Sequence, residues 1–164
     1  MVDKRSEADS SARIYDAERI MADLRLREEQ TSCTNSIVIG DFNADPFEPE
    51  LIAKSCFHAT LFKDVLQNKP IRKRDGDAFR MMYNPIFHYL SEDTKCYGSY
   101  YYGTGFTCLF WHCFDQALVS PALADSVEDL QYLRSIGGEM LISKMKPNGD
   151  VSDHLPLLLS MRGD

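Results

Sequence analysis

No apolar run in this chain approaches the roughly 18 to 20 residues that a membrane-crossing helix needs, and the charged stretch Met1 to Ser11 has no signal-peptide core. No membrane span is expected, and the default compartment is cytoplasmic. Paired cysteine motifs are also missing. The five cysteines, Cys33, Cys56, Cys96, Cys108 and Cys113, are an odd number without a CxxC spacing. That pattern suits buried free thiols in a reduced compartment and no structural zinc. An excess of basic charge is lacking too: the net charge of -7 disfavours a general polyanion binder, although a local basic patch can still hold phosphate. Internal repeats and low-complexity tracts are absent. What is present suffices for a core, because 164 residues at 44 % hydrophobic content can close one domain.

The most informative stretch is Ser36 to Asn43. Ile37-Val38-Ile39 reads as a buried strand that stops at Gly40 and delivers Asp41 and Asn43 at its carboxyl end, the edge at which open α/β sheets bind ligands. Asp41 offers a carboxylate to a metal or a proton. Asn43 offers an amide that can orient a water or a phosphate oxygen.

Residues 1 to 11 are polar and expected to be a disordered or frayed leader, with the folded part over 12–164. Ile14, Ala17, Met21 and Leu24 recur at spacings of three and four, predicting an amphipathic helix from Ala12 to about Glu28, capped by Ser10 or Ser11. Glu50 to about Phe57 and Leu61 to Leu66 read as short helices, and Lys63 to Arg80 as a surface connection. The Tyr-, Thr- and Phe-rich stretch Tyr97 to Phe110 suits a strand pair around a turn. Phe114 to Ser120, Met140 to Met145 and Leu155 to Met161 are strand candidates, Ser126 to Leu133 is read as helix or turn, and Pro147 to Asp150 as a turn. Interleaved strands and helices favour α/β or α+β.

Three short segments then fall in a fixed order: Gly40-Asp41-Phe42-Asn43; Trp111, Asp115 and Ser120 in a Trp-x-x-x-Asp-x-x-x-x-Ser stretch; and Ser152-Asp153-His154-Leu155-Pro156. In this combination the chain resembles the endonuclease/exonuclease/phosphatase superfamily. The resemblance implies metal-dependent, in-line hydrolysis of a phosphate ester or phosphodiester. It implies that Asp41 activates or positions the attacking water, Asn43 fixes that water or a phosphate oxygen, and His154 stands beside the phosphorus, oriented by Asp115. Asp153, with Asp41, would serve the metal, Mg2+ or Mn2+. Trp111 is expected to pack beside this site. His58, His88 and His112 lack a partner at motif spacing and read as surface or core residues. Lys69, Arg72, Lys73 and Arg74 read as a solvated loop, and Gly103-Thr104-Gly105 is too short to cradle a phosphate.

The same resemblance implies a DNase I-like β-sandwich with flanking helices, of which this chain carries the carboxyl-terminal half. Complete members begin with strands bearing an Asn, a metal-binding Glu and a further His, and these have no counterpart here. The expectations are therefore a weakly held magnesium and impaired hydrolysis. The alternative is a non-catalytic interaction module that pairs with another chain. The apolar strands Ile37 to Ile39, Phe114 to Val119 and Leu155 to Leu159 need cover, so self-association, or pairing with a complementary half, is expected. Nucleic acid, phosphoinositide and lipid headgroup all stay open as substrate.

Overall fold

A computed structural model describes residues 4–91, 98–104 and 109–163. Helices α1 (Lys4–Thr31), α2 (Pro49–Ile52), α3 (Lys63–Asn68) and α4 (Ile86–Ser91) interleave with short strands, giving a mixed, α+β architecture. The strands are β1 (Ile37–Asp41), β2 (Ala59–Thr60), β3 (Ile71–Arg74), β4 (Asp77–Arg80), β5 (Met82–Tyr83), β6 (Tyr100–Tyr102), β7 (Phe110–His112), β8 (Asp115–Val119), β9 (Val127–Tyr132), β10 (Ser135–Ile136), β11 (Glu139–Met140), β12 (Ile142–Ser143), β13 (Lys146–Pro147) and β14 (Leu157–Met161). One sheet has the order β1-β8-β5-β2, and the remaining strands form antiparallel pairs. Among the described residues no helix is long and apolar enough to cross a membrane.

Two compact units are distinguished. The first comprises Met1–Val38, Pro46–Asn84 and Leu118–Asp125. Its helix α1 starts at Lys4 and ends at Thr31, longer at both ends than the 12–28 span that the periodicity predicts. The segment expected to be a frayed leader is thus helical from Lys4, and residues 1–3 lie outside the described residues. Ser10 and Ser11, expected as caps, are interior to the helix. The apolar stripe is as read, with Ala17 and Met21 buried, and it continues one turn further to a charged residue, Glu28, which is 7 % exposed. Burial of that carboxylate is made tolerable by Arg80, whose Nη2 donates to both carboxylate oxygens at 2.6 and 2.7 Å, and by the Ser36 hydroxyl. A second buried acid, Glu50, accepts from Arg13 Nε at 2.8 Å.

The stretch Lys63 to Arg80 is not a plain connection. After α3 it forms the β3–β4 hairpin, in which Ile71 pairs with Arg80 and Arg74 with Asp77. Asp75 and Gly76, at φ 55° and 89°, supply the two left-handed positions that a two-residue hairpin turn demands. Arg72, Lys73 and Arg74 therefore stand on an exposed strand rather than in a loop.

The second unit comprises Ile39–Asp45, Pro85–Ala117 and Ser126–Asp164. The expected strand pair appears as β6 and β7, with Tyr100 opposite His112; Tyr97 and Gly105 of the segments read there lie outside the described residues. Ser126 to Leu133, read as helix or turn, is instead mostly strand β9, paired antiparallel with β14. Its Leu130 and Tyr132 are buried at alternate positions, and it is this cross-strand cover that decides the conformation. Met140 to Met145 breaks into two short strands, each paired within its own hairpin.

Two further expectations are corrected. Strand β1 continues through Gly40 to Asp41, and it is not buried: Ile37 is 43 % and Ile39 53 % exposed. It stands first in the strand order and, among the described residues, has a hydrogen-bonded neighbour strand on one side only. Of the thiols, Cys56 and Cys113 are buried, whereas Cys33 is exposed just past α1; Cys96 and Cys108 lie outside the described residues. Burial pushes the Cys56 thiol up from its ordinary value, which keeps it protonated and inert.

Candidate functional site

The second unit gathers the chemistry-bearing side chains. At the end of β1 the chain turns at Asn43, a non-glycine residue at φ 48°. Asparagine tolerates that conformation, and the turn is closed locally: the Asn43 N–H donates to Asp41 Oδ1 at 2.8 Å, and its Nδ2 to Oδ2 at 3.3 Å. Both side chains are exposed. The loop is tied to β8 and to the residue before it by two bonds. Phe42 N–H donates to the Phe114 carbonyl at 2.9 Å, and the buried Gln116 donates from Nε2 to the Ala44 carbonyl at 2.7 Å.

Asp115 opens β8 and holds His154: Oδ2 lies 2.7 Å from His154 Nδ1. The pairing expected of these two residues is thus present, and it is firmly supported. The Asp115 N–H donates to Ser99 Oγ at 3.1 Å and its carbonyl accepts from Tyr132 Oη at 2.6 Å. Burial raises the Tyr132 phenol well above its ordinary value, so it stays a donor. His154 N–H donates to Ser152 Oγ at 3.1 Å, and the backbone bridges to Tyr100. Ser99, fully buried, joins all of this: its N–H donates to the His112 carbonyl at 2.9 Å and its carbonyl accepts from Leu155 N–H at 2.8 Å. Gly98 lets the strands pass this closely, since a Cβ there would meet the His112 carbonyl oxygen at 2.4 Å.

Asp153 is exposed, next to His154 in the chain. Asp41 and Asn43 bond to one another rather than to the Asp115–His154 pair. Trp111 is half-buried and packs edge-on against Tyr101, with ring centroids 5.5 Å apart. Ser120 is structural: within the first unit its hydroxyl accepts from Ser36 N–H at 3.1 Å. Among the described residues no three metal-ligating side chains form one group. Magnesium requires less than that, since one or two carboxylates with waters and a substrate phosphate complete its shell. Asp41 and Asp153 each offer hard, exposed carboxylate oxygens of the kind magnesium takes.

Sequence reasoning missed one residue here. His112, set aside for want of a partner, has one: its Nδ1 lies 2.7 Å from Asp45 Oδ2. The available signal was the position of Asp45, two residues beyond Asn43. His58, also read as surface or core, is core at 3 % exposed, and among the described residues its Nδ1 has no partner. Burial, with the Arg72 and Arg25 guanidinium groups, lowers its pKa from the ordinary 6.5. The unfolded chain then takes up a proton that the fold refuses, so this stability term is fully present above pH 6.5 and is lost as pH falls below it toward the depressed folded value. The melting temperature of the wild type is expected to drop more between pH 7.5 and 5.5, values chosen about one unit either side of an ordinary imidazole pKa, than that of His58→Gln. Equal drops would remove His58 from the account.

Comparison of the chain with protein-family models, curated proteins and solved structures finds no match.

Proposed function

We propose that this chain belongs to a metal-assisted phosphoesterase of the DNase I-like, endonuclease/exonuclease/phosphatase type, acting on a phosphate ester or phosphodiester. The observation that carries the reading is the Asp115–His154 pair at 2.7 Å, made between two of the three motif segments. The third, the Asp41–Asn43 loop, is fastened to the residue before Asp115.

The residues divide the work by their chemistry. Asp115 fixes the His154 tautomer and ring plane, leaving Nε2 as the nitrogen that meets the reacting phosphate, where it donates to developing negative charge or carries a proton. Asp41 and Asn43, locked together in their turn, present a carboxylate oxygen and an amide to the attacking water. Asp41 and Asp153 would hold magnesium, which when bound supplies Lewis-acid polarisation of the phosphoryl oxygens.

Two carboxylates make a weak site. Magnesium is expected to bind in the millimolar range by calorimetry, and bis(p-nitrophenyl) phosphate to be hydrolysed slowly and only with the metal present. Absence of turnover on phosphodiester and phosphomonoester alike, at saturating metal, would end the reading. The exposed Ile37 and Ile39 favour a second one, a non-catalytic module whose β1 is covered by another chain; that same silent assay would promote it.

A further inference from the structure

His112 repeats the arrangement of His154. Asp45 holds its Nδ1 at 2.7 Å through Oδ2, while Oδ1 accepts the Cys113 N–H at 2.8 Å, so the carboxylate is anchored from two sides. The two side chains are 17 % and 18 % exposed, close to the 25 % and 19 % of His154 and Asp115. Neither His112 Nε2 nor His154 Nε2 has a hydrogen-bond partner among the described residues. The register relates the pairs. Tyr100 is the antiparallel partner of His112 on one side and, through an isolated bridge, of His154 on the other, so the three side chains share one face across β7, β6 and the bridged segment. Their rings touch: Tyr100 lies 4.8 Å from His154 and 5.4 Å from Phe114, and Phe114 4.8 Å from His112. Two strand spacings separate the backbone positions of the imidazoles by about 10 Å.

A carboxylate-held imidazole with an open nitrogen, set level with the first on one face, is suited to an anionic oxygen. We propose that His112 is a second phosphate-contacting residue, positioned by Asp45, and that the substrate carries two phosphate groups, one for each imidazole. This rests on the phosphoesterase reading of the His154 site. The shared chemistry belongs to an oligonucleotide backbone and to a small bisphosphate, and experiment separates them.

Dissociation constants are measured by calorimetry for tetrathymidylate, myo-inositol 1,4-bisphosphate and inorganic phosphate, with wild type, His112→Gln and His112→Phe. The phenylalanine keeps a ring against Phe114, so lost packing alone does not account for its effect. Loss of one charge-assisted bond is expected to cut the preference for the tighter two-phosphate probe over inorganic phosphate by about tenfold in both variants, and which probe is tighter identifies the source. The proposal is overturned if that preference changes less than twofold, or if neither probe binds the wild type. Wild-type turnover of bis(p-nitrophenyl) phosphate is followed in parallel. A His112-dependent preference without turnover would retain the two-phosphate site and discard the phosphoesterase.

Discussion

Replacing His154 with alanine is expected to lower phosphodiester turnover by roughly 10²- to 10⁴-fold, the span over which a positioned proton-transfer group contributes. The ring is only partly buried, at 25 % side-chain exposure, and its backbone bridge to Tyr100 survives the substitution, so the loss falls on the chemical step rather than on the fold. KM should move little. Asp115→Asn should give a smaller loss in kcat, because the carboxamide keeps a contact with Nδ1 but no longer dictates the tautomer. Steady-state kinetics on bis(p-nitrophenyl) phosphate, with circular dichroism of each variant, check this. If His154→Ala retains more than half of the wild-type rate, His154 is not the group beside the phosphorus.

The largest stability effect is expected at Arg80. The Glu28 side chain is 8 % exposed, and apart from the Ser36 hydroxyl its charge is met by Arg80 alone among the bonds described. Arg80→Ala leaves a carboxylate stranded on the buried stripe of α1, at a cost of about 3 kcal/mol. Part of that is recovered if water reaches the gap, since Arg80 is itself 21 % exposed. Glu28→Leu combined with Arg80→Met should restore most of the stability, because an apolar pair carries no desolvation penalty. Urea denaturation of the three proteins decides it, and a single variant within about 0.5 kcal/mol of wild type would show that the pair contributes little.

The contrast between Glu28 and the motif residues shows where the sequence was legible. The spacing of Ile14, Ala17, Met21 and Leu24 marks the buried face of α1, because helical period is a property of neighbours in the chain. The same spacing reaches Glu28, yet a charge is discounted as a core position unless its partner is known, and Arg80 lies 52 positions away. Strand β9 shows the same limit. Val127 to Tyr132 carries three polar residues in six and takes its conformation from β14, across a long connection. The Asp115–His154 pair was legible because the motif order supplied a partner that distance in the chain conceals. His112 was not, since Asp45 stands outside every quoted motif and only the register of β6 and β7 discloses which face the imidazole shares. Strand β1 was read correctly in place and wrongly in burial: three apolar β-branched residues specify extended backbone, but what covers them depends on neighbours in space.

Ser99 carries a consequence for how this molecule can vary. Its amide, carbonyl and hydroxyl are spent on three separate stretches of chain, those of His112, Leu155 and Asp115, with no surface of its own in solvent. The spacing of the stretches that carry the two imidazoles is therefore not a property of either histidine's surroundings alone; it runs through one small hydroxyl residue bonded to all three. A larger side chain at Ser99 would have to push one of those stretches aside, so the spacing of the three tolerates little change at this one position.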